Sequence, residues 1–144
     1  MRLLHFADFH LGTENYGRLD PATGLSGRVL DFLRCLDFLV DTALQESVDL
    51  VLFAGDAYKT RDPSPTHQRE FALRIRRLAE EGVQVLLLVG NHDMPGATGR
   101  ANSVDIFHTL AVPNVTVANR LRLHRLETRS GPVQVVTLPW VIPN

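Results

Sequence analysis

The sequence predicts an α/β fold: a parallel βαβ sheet, helices outside it, and the start of a second β-sheet. Three observations lead there. Leu3–Ala7, Leu50–Ala54 and Val85–Val89 are short, nearly continuous apolar runs, the pattern of strands buried on both faces. Segments with helical periodicity separate them, which requires crossover connections and therefore parallel pairing. After Pro113 the periodicity turns to that of β-strands.

Element by element, the first strand leads into Gly12 to Gly27, a long polar loop with four glycines and Asp20-Pro21. Loops of that length in compact domains are commonly functional or mobile. Arg28 to Glu46 reads as an amphipathic helix, with Val29, Phe32, Leu33, Leu36, Leu39, Val40 and Ala43 along one side. Asp49 to Ala54 is the second strand. Thr60–Pro63 is a turn, Ser64 an N-cap and Pro65 the first residue of a helix. That helix presents Phe71, Ile75 and Leu78 on one face and stops near Gly82. Gln84 to Val89 is the third strand, Pro95 to Arg100 a Gly-containing loop, and Ser103 to Leu110 a shorter helix. Val115–Ala118, Leu121–Leu126 and Val133–Leu138 are strands, the last two joined by a turn at Ser130-Gly131-Pro132. Trp140, Val141 and Ile142 extend the apolar text to the last residues, the mark of an incomplete domain.

The 144 residues fit one domain with a real core. The net charge of −1 offers no global attraction to nucleic acid, so polyanion binding would rest on local Arg clusters or bound metal. Lys59 is the only lysine among fifteen basic residues, a bias of genome composition or of thermal adaptation. Cys35 is the single cysteine, which excludes an intrachain disulfide and fits a reducing cytoplasmic setting. No signal peptide and no run of membrane-spanning length is seen.

Each apolar strand closes on a polar cluster: Asp8-Phe9-His10, Gly55-Asp56 and Gly90-Asn91-His92-Asp93. Sites in parallel α/β sheets gather beyond the carboxyl ends of the strands, so the three clusters point to one metal site. Residues i and i+2 of a strand share a side, which lets Asp8 and His10 approach one cation. Asp56 has two oxygens and could bridge two cations, and Asn91 offers an amide oxygen to the second. This oxygen and nitrogen set, without thiolate, suits Mn, Fe or Zn. Two cations about 3.5–4 Å apart clamp a phosphoryl group for in-line attack. His92 is then free to stabilise the phosphoryl oxygens or protonate the leaving oxygen. Alone, Asp8-x-His10 or Gly55-Asp56 is no more than a loop or a turn. Asn-His-Asp after a strand is the sharper signal.

In this order and spacing, the clusters resemble the pattern D-x-H, G-D, G-N-H-D/E of the calcineurin-like metallophosphoesterases. More narrowly, Met1–His5 leading into Asp8–Gly12, Ala54-Gly55-Asp56, the Pro-rich turn, Gly90–Asp93 followed by Pro95, and Leu138-Pro139-Trp140 look like the N-terminal part of the SbcD nuclease family. The resemblance implies a metallophosphoesterase-type α/β sandwich of which residues 1–144 are the N-terminal part. It implies a Mn²⁺-dependent exo/endonuclease acting on DNA ends, two metals, a homodimer, and an SbcC-like SMC-type ATPase as partner. Asp8 and His10 match first-metal ligands, Asp56 the bridging ligand, Asn91 a second-metal ligand, and His92 the catalytic histidine.

Two departures qualify that picture. Members complete the site with three further histidines, one alone and two in G-H-x-H, and neither motif is present. His67, His108 and His124 have other surroundings, the first opening a helix and the others on ordinary helix and strand surfaces. Four ligands are too few for two metals, so the chain by itself is expected to be inactive. Relatives also often carry an acidic residue or His three positions after the bridging aspartate, where this chain has Lys59. Its ammonium either lowers the pKa of His92 or contacts a phosphate, or it is a solvated cation without a role. Asp93 could orient His92. Tyr16 and Arg18 are substrate candidates because their loop leaves the metal-bearing strand end. His5 reads as a packing histidine. Arg69, Arg74, Arg76 and Arg77 read as a solvated helix face, with a phosphate-contacting or dimer-rim patch as the alternative. Two other functions stay open: a small-molecule phosphodiesterase of the same superfamily, and a catalytically incomplete fragment that dimerises or docks a partner.

Overall fold

The computed structural model describes residues 1–15, 17–97 and 99–141. A four-stranded parallel sheet contains β1 (Leu3–Phe6), β2 (Leu50–Phe53), β3 (Gln84–Leu88) and β4 (Val115–Ala118), in that spatial order. The crossovers carry α1 (Gly27–Gln45), α2 (Pro65–Glu80) and α3 (Asp105–Thr109). A hairpin of β5 (Arg122–Thr128) and β6 (Gly131–Thr137) forms a second, antiparallel sheet.

Strand alternation sorts the core into two layers. Val51, Phe53, Val85 and Leu87 face the helices, where they meet Val29, Leu33, Leu36 and Val40 of α1, Phe71, Ile75 and Leu78 of α2, and Phe107 of α3. Leu50, Leu86 and Ala118 face the other way and are covered by Leu126 of the hairpin. Phe71 is the hub of the helix-side layer, with the rings of Phe9, Phe53, Tyr58 and Phe107 centred 5.4–6.5 Å from its own. Ser64 is the N-cap predicted, its Oγ accepting the His67 N–H, and Ser26 caps α1 in the same way, its Oγ accepting the Arg28 N–H.

Three readings change. The last helix starts at Asp105, two residues late, and Ser103 outside it donates its hydroxyl to Asp93. The hairpin turn moves to Arg129-Ser130, and Gly131 and Pro132 pair with Thr128 and Glu127. A Pro is tolerated there because each strand of a two-stranded ribbon has one unpartnered edge. His5 is exposed, since the hairpin does not reach across β1.

Asp49, at the start of β2, ties three elements together. Its carboxylate accepts the Arg2 N–H at 2.7 Å and the Ser130 hydroxyl at 2.9 Å. The Arg2 N–H, followed by the Ser130 hydroxyl, holds its pKa below the usual carboxylate value. A depressed carboxyl pKa stabilises the fold fully above the unfolded value of about 3.9, and that contribution is lost as pH falls through the folded value. Urea melts between pH 3 and 7 should therefore show an acid-side loss that Asp49→Asn flattens. Phe71→Ala should cost about 3–5 kcal/mol in the same melts at neutral pH, as expected for a fully buried aromatic.

Candidate metal centre

Beyond the strands, β1 and β2 go on pairing irregularly. The N–H groups of Asp8, His10 and Leu11 donate to the carbonyls of Gly55, Asp56 and Ala57, each at 3.0 Å. Phe9 and Leu11 anchor this extension in the core, so Asp8 and His10 take the alternate positions. Asp8, His10 and Asp56 all have positive φ, between 49° and 63°. Such backbone costs roughly 1–2 kcal/mol per residue, with Asp among the more tolerant types. The ladder hydrogen bonds hold it in place.

The third cluster reaches the same place by close approach. A Cβ on Gly55 would lie 2.7 Å from Gly90 Cα, and one on Gly90 would lie 2.2 Å from Asp56 Oδ1. Only glycine at both positions lets the two junctions touch. Asp93 locks them. Its Oδ2 accepts the N–H groups of Asp56 at 2.7 Å and Gly90 at 3.0 Å, while Oδ1 accepts the Ala57 N–H at 3.0 Å and the Ser103 hydroxyl at 2.9 Å. The predicted role of Asp93, orienting His92, is therefore replaced by a backbone clamp. Tyr58 beside it stays protonated, its pKa pushed up by burial and further by the Asp93 charge.

The side chains converge on Asp56. Donor atoms of His10, Asp56 and His92 lie within 4.8 Å of one another. His10 Nε2 stands 3.8 Å from both Asp8 Oδ1 and Asp56 Oδ2, too far for hydrogen bonds. Asp56 Oδ1 accepts the His92 N–H at 2.8 Å. Asp8, Asp56 and Asn91 line an open cleft of about 290 Å³ whose far wall is Leu138–Val141, held by the Trp140 N–H on the Val89 carbonyl at 3.2 Å. Two carboxylates and an amide on the cleft, with two imidazole nitrogens within 4.8 Å of Asp56, fit a divalent cation. His10 Nδ1 is buried and without a partner among the described residues.

The other candidates fall elsewhere. Lys59 meets His92 through its carbonyl, 2.9 Å from His92 Nδ1, and its side chain is exposed. Arg18 is exposed, its carbonyl accepting the Gly27 N–H, and Tyr16 lies outside the described residues. His67 Nε2 pairs with Glu14 at 3.0 Å. Arg69, Arg74, Arg76 and Arg77 pair with Glu70, Asp37, Glu80 and Asp41, which supports the solvated-face reading. Ser103 and the wall at Leu138–Val141 were not anticipated from the sequence. Only the Leu138-Pro139-Trp140 text hinted at the latter.

Residues 1–136 match the model of the family described as calcineurin-like phosphoesterase. The chain is similar to the SbcD component of the nuclease SbcCD from Escherichia coli, 31% identical over 146 positions covering all of this chain and 34% of that protein. It is also similar to the DNA double-strand break repair protein Mre11 of Halobacterium salinarum, 32% identical over 77% of this chain and 26% of that protein. For the protein of that name from Aeropyrum pernix, the identity is 35% over 65% of this chain and 21% of that protein. The chain thus spans between a fifth and a third of the length of these relatives.

Gly90→Ala should cost about 1–3 kcal/mol in chemical denaturation through overpacking. Gly96→Ala, where a Cβ meets nothing within 4 Å, should stay within about 0.5 kcal/mol. Asp93→Ala leaves three main-chain donors without their acceptor and should cost about 3 kcal/mol or more.

Proposed function

The chain belongs to the calcineurin-like phosphoesterase family, and on that premise we propose that it is the N-terminal part of a metal-dependent nuclease domain that hydrolyses DNA phosphodiesters. The observation that carries this reading is the convergence of Asp8, His10, Asn91 and His92 on Asp56 at the carboxyl edge of the sheet. The names of the relatives support DNA as the substrate.

Asp8 and His10 would hold a first divalent cation, Asp56 would bridge to a second, and Asn91 would bind the second. Manganese is the proposed metal, with iron or zinc compatible with the same donors. When bound, such a pair supplies Lewis-acid polarisation of the phosphoryl oxygens and a water nucleophile at neutral pH. The chain's own part is positioning and proton transfer. With Nδ1–H of His92 donated to the Lys59 carbonyl, Nε2 is the ring atom that serves the phosphoryl or leaving oxygen. The His92 N–H on Asp56 Oδ1 fixes that ring relative to the bridging carboxylate. Further histidines after residue 144 would complete both metal shells, so residues 1–144 alone would be inactive.

The proposed setting is cytoplasmic, with DNA ends as substrate and an SbcC-like SMC-type ATPase as partner. The Escherichia coli relative is named as one component of a larger nuclease, which supports assembly with a second kind of chain. A homodimer is proposed through the apolar groove of about 280 Å³ between α2 and α3, where Leu73, Ile106 and Leu110 are exposed.

The test is Mn²⁺-dependent degradation of linear duplex DNA by the full-length protein. Asp56→Ala should abolish it together with tight Mn²⁺ binding. His92→Ala should lower the rate about 10²–10⁴-fold while Mn²⁺ binding, followed by electron paramagnetic resonance, persists. Undiminished activity in the His92 variant removes that residue from the mechanism. Turnover of small diesters with no action on DNA overturns the substrate.

A further inference from the structure

His108 lies exposed on α3 and His124 half-buried on β5, as expected for helix and strand surfaces. With Val117, Asn119, Arg120 and Arg122 they line a small cavity of about 60 Å³ at the free edge of β4, between α3 and β5. Two arginines, two histidines and an asparagine line it, and no acidic residue is in the lining. Seven other arginines, Arg2, Arg34, Arg69, Arg74, Arg76, Arg77 and Arg125, each pair with an acidic residue, while Arg18, Arg28, Arg61, Arg100 and Arg129 are in no ion pair among the described residues. Arg120 and Arg122 have no such pair among the described residues. Two unneutralised guanidinium groups at one cavity repel each other unless an anion sits between them.

The cavity floor is fixed. Thr137, buried at the end of β6, places its hydroxyl 3.1 Å from the Arg120 carbonyl and 3.2 Å from that of Arg122. One of these carbonyls takes its proton. The hydroxyl oxygen then accepts from His124 Nε2 at 3.1 Å, which leaves Nδ1 as the free ring atom. One buried hydroxyl thus sets the bend carrying both arginines and the orientation of one histidine.

We infer that this cavity is a phosphate-binding site separate from the Asp56 cluster. Its volume is several times the ~10–15 Å³ needed by one water and suits a small oxyanion rather than a nucleoside. Planar guanidinium forks match phosphate oxygens bidentately. The His124 pKa is held down by burial and then by the Arg122 charge, and a bound anion would offset the second cause. The location fits as well. Asn119 and Arg120 follow β4 as Val89 and Gly90 follow β3, and the two strand ends are joined by the Val89 N–H on the Ala118 carbonyl at 3.1 Å. The phosphate comes either from solution, as orthophosphate or a mononucleotide, or from the backbone of a polynucleotide lying along the sheet edge. The second source rests on the nuclease reading; the site itself does not.

The test uses full-length protein stripped of metal with a chelator, so that no cation at Asp56 can hold phosphate. Calorimetric titration with inorganic phosphate at constant ionic strength should show one saturable site per chain. Arg120→Gln/Arg122→Gln should weaken it at least tenfold, and Arg34→Gln should not. Both arginines of the double variant are exposed, and a thermal melt checks that it folds. Absence of saturable binding, or equal affinity in the double variant, overturns the site. A second titration with a single-stranded oligonucleotide over a salt series identifies the source. A fall in the salt slope of about 0.7 for each phosphate no longer neutralised assigns it to backbone phosphate. An unchanged slope with abolished orthophosphate binding assigns it to free phosphate. Because no catalysis is read, failure here is distinct from failure of the nuclease reading.

Discussion

The Asp93 carboxylate is fully shielded from solvent and accepts four hydrogen bonds, three of them from main-chain N–H groups on two different strand-to-loop junctions. A buried charge is tolerable only when its lone pairs are this well used. The arrangement has a geometric result. Asp56 and Gly90 are pulled onto the same carboxylate oxygen, and the approach is close enough that neither Gly55 nor Gly90 can carry a Cβ. Every side chain of the metal centre is placed relative to that junction. Asp56 projects from one side of it, Asn91 and His92 from the other, and Asp8 and His10 are paired to the first through the ladder beyond β1.

The same constraint explains why strained backbone collects here. The residues expected to hold metal include three at positive φ, a conformation kept only where surrounding bonds over-determine it. Phe9, Leu11 and Tyr58 sit buried beneath the ladder and resist its relaxation. Stability is thus concentrated under the site, in the aromatic cluster around Phe71, while the cleft side chains stay free to accept a ligand.

Charge is distributed on a different principle. On the helices, five of six arginines are matched to acids on the same or the neighbouring helix, as in Arg74 bridging Glu70 and Asp37, and Arg28 stacks over Phe32 instead. Along the carboxyl edge of the sheet the matching stops, with carboxylates at Asp8 and Asp56 and, among the described residues, unpaired guanidinium groups at Arg120 and Arg122. A chain with almost no net charge therefore carries two local, opposite fields on one edge, one suited to cations and one to phosphate.

The α/β class, the order of the elements, the core faces of α1 and α2 and the gathering of Asp8, His10, Asn91 and His92 at Asp56 were legible in the sequence. Periodicity, caps and strand-end motifs are local, and parallel pairing brings successive strand ends to one edge. What the sequence could not express were contacts between residues far apart in the chain. Asp93 is adjacent to His92 but serves the backbone of Asp56, and Ser103, read as the start of a helix, precedes it and donates to Asp93. The Lys59 carbonyl, not its ammonium, meets His92. His108 and His124 become neighbours only when the hairpin folds back beside α3. Local pattern sets which groups reach the sheet edge. Close approach of backbones, which depends on the absence of two Cβ atoms and the presence of one buried carboxylate, decides what those groups touch.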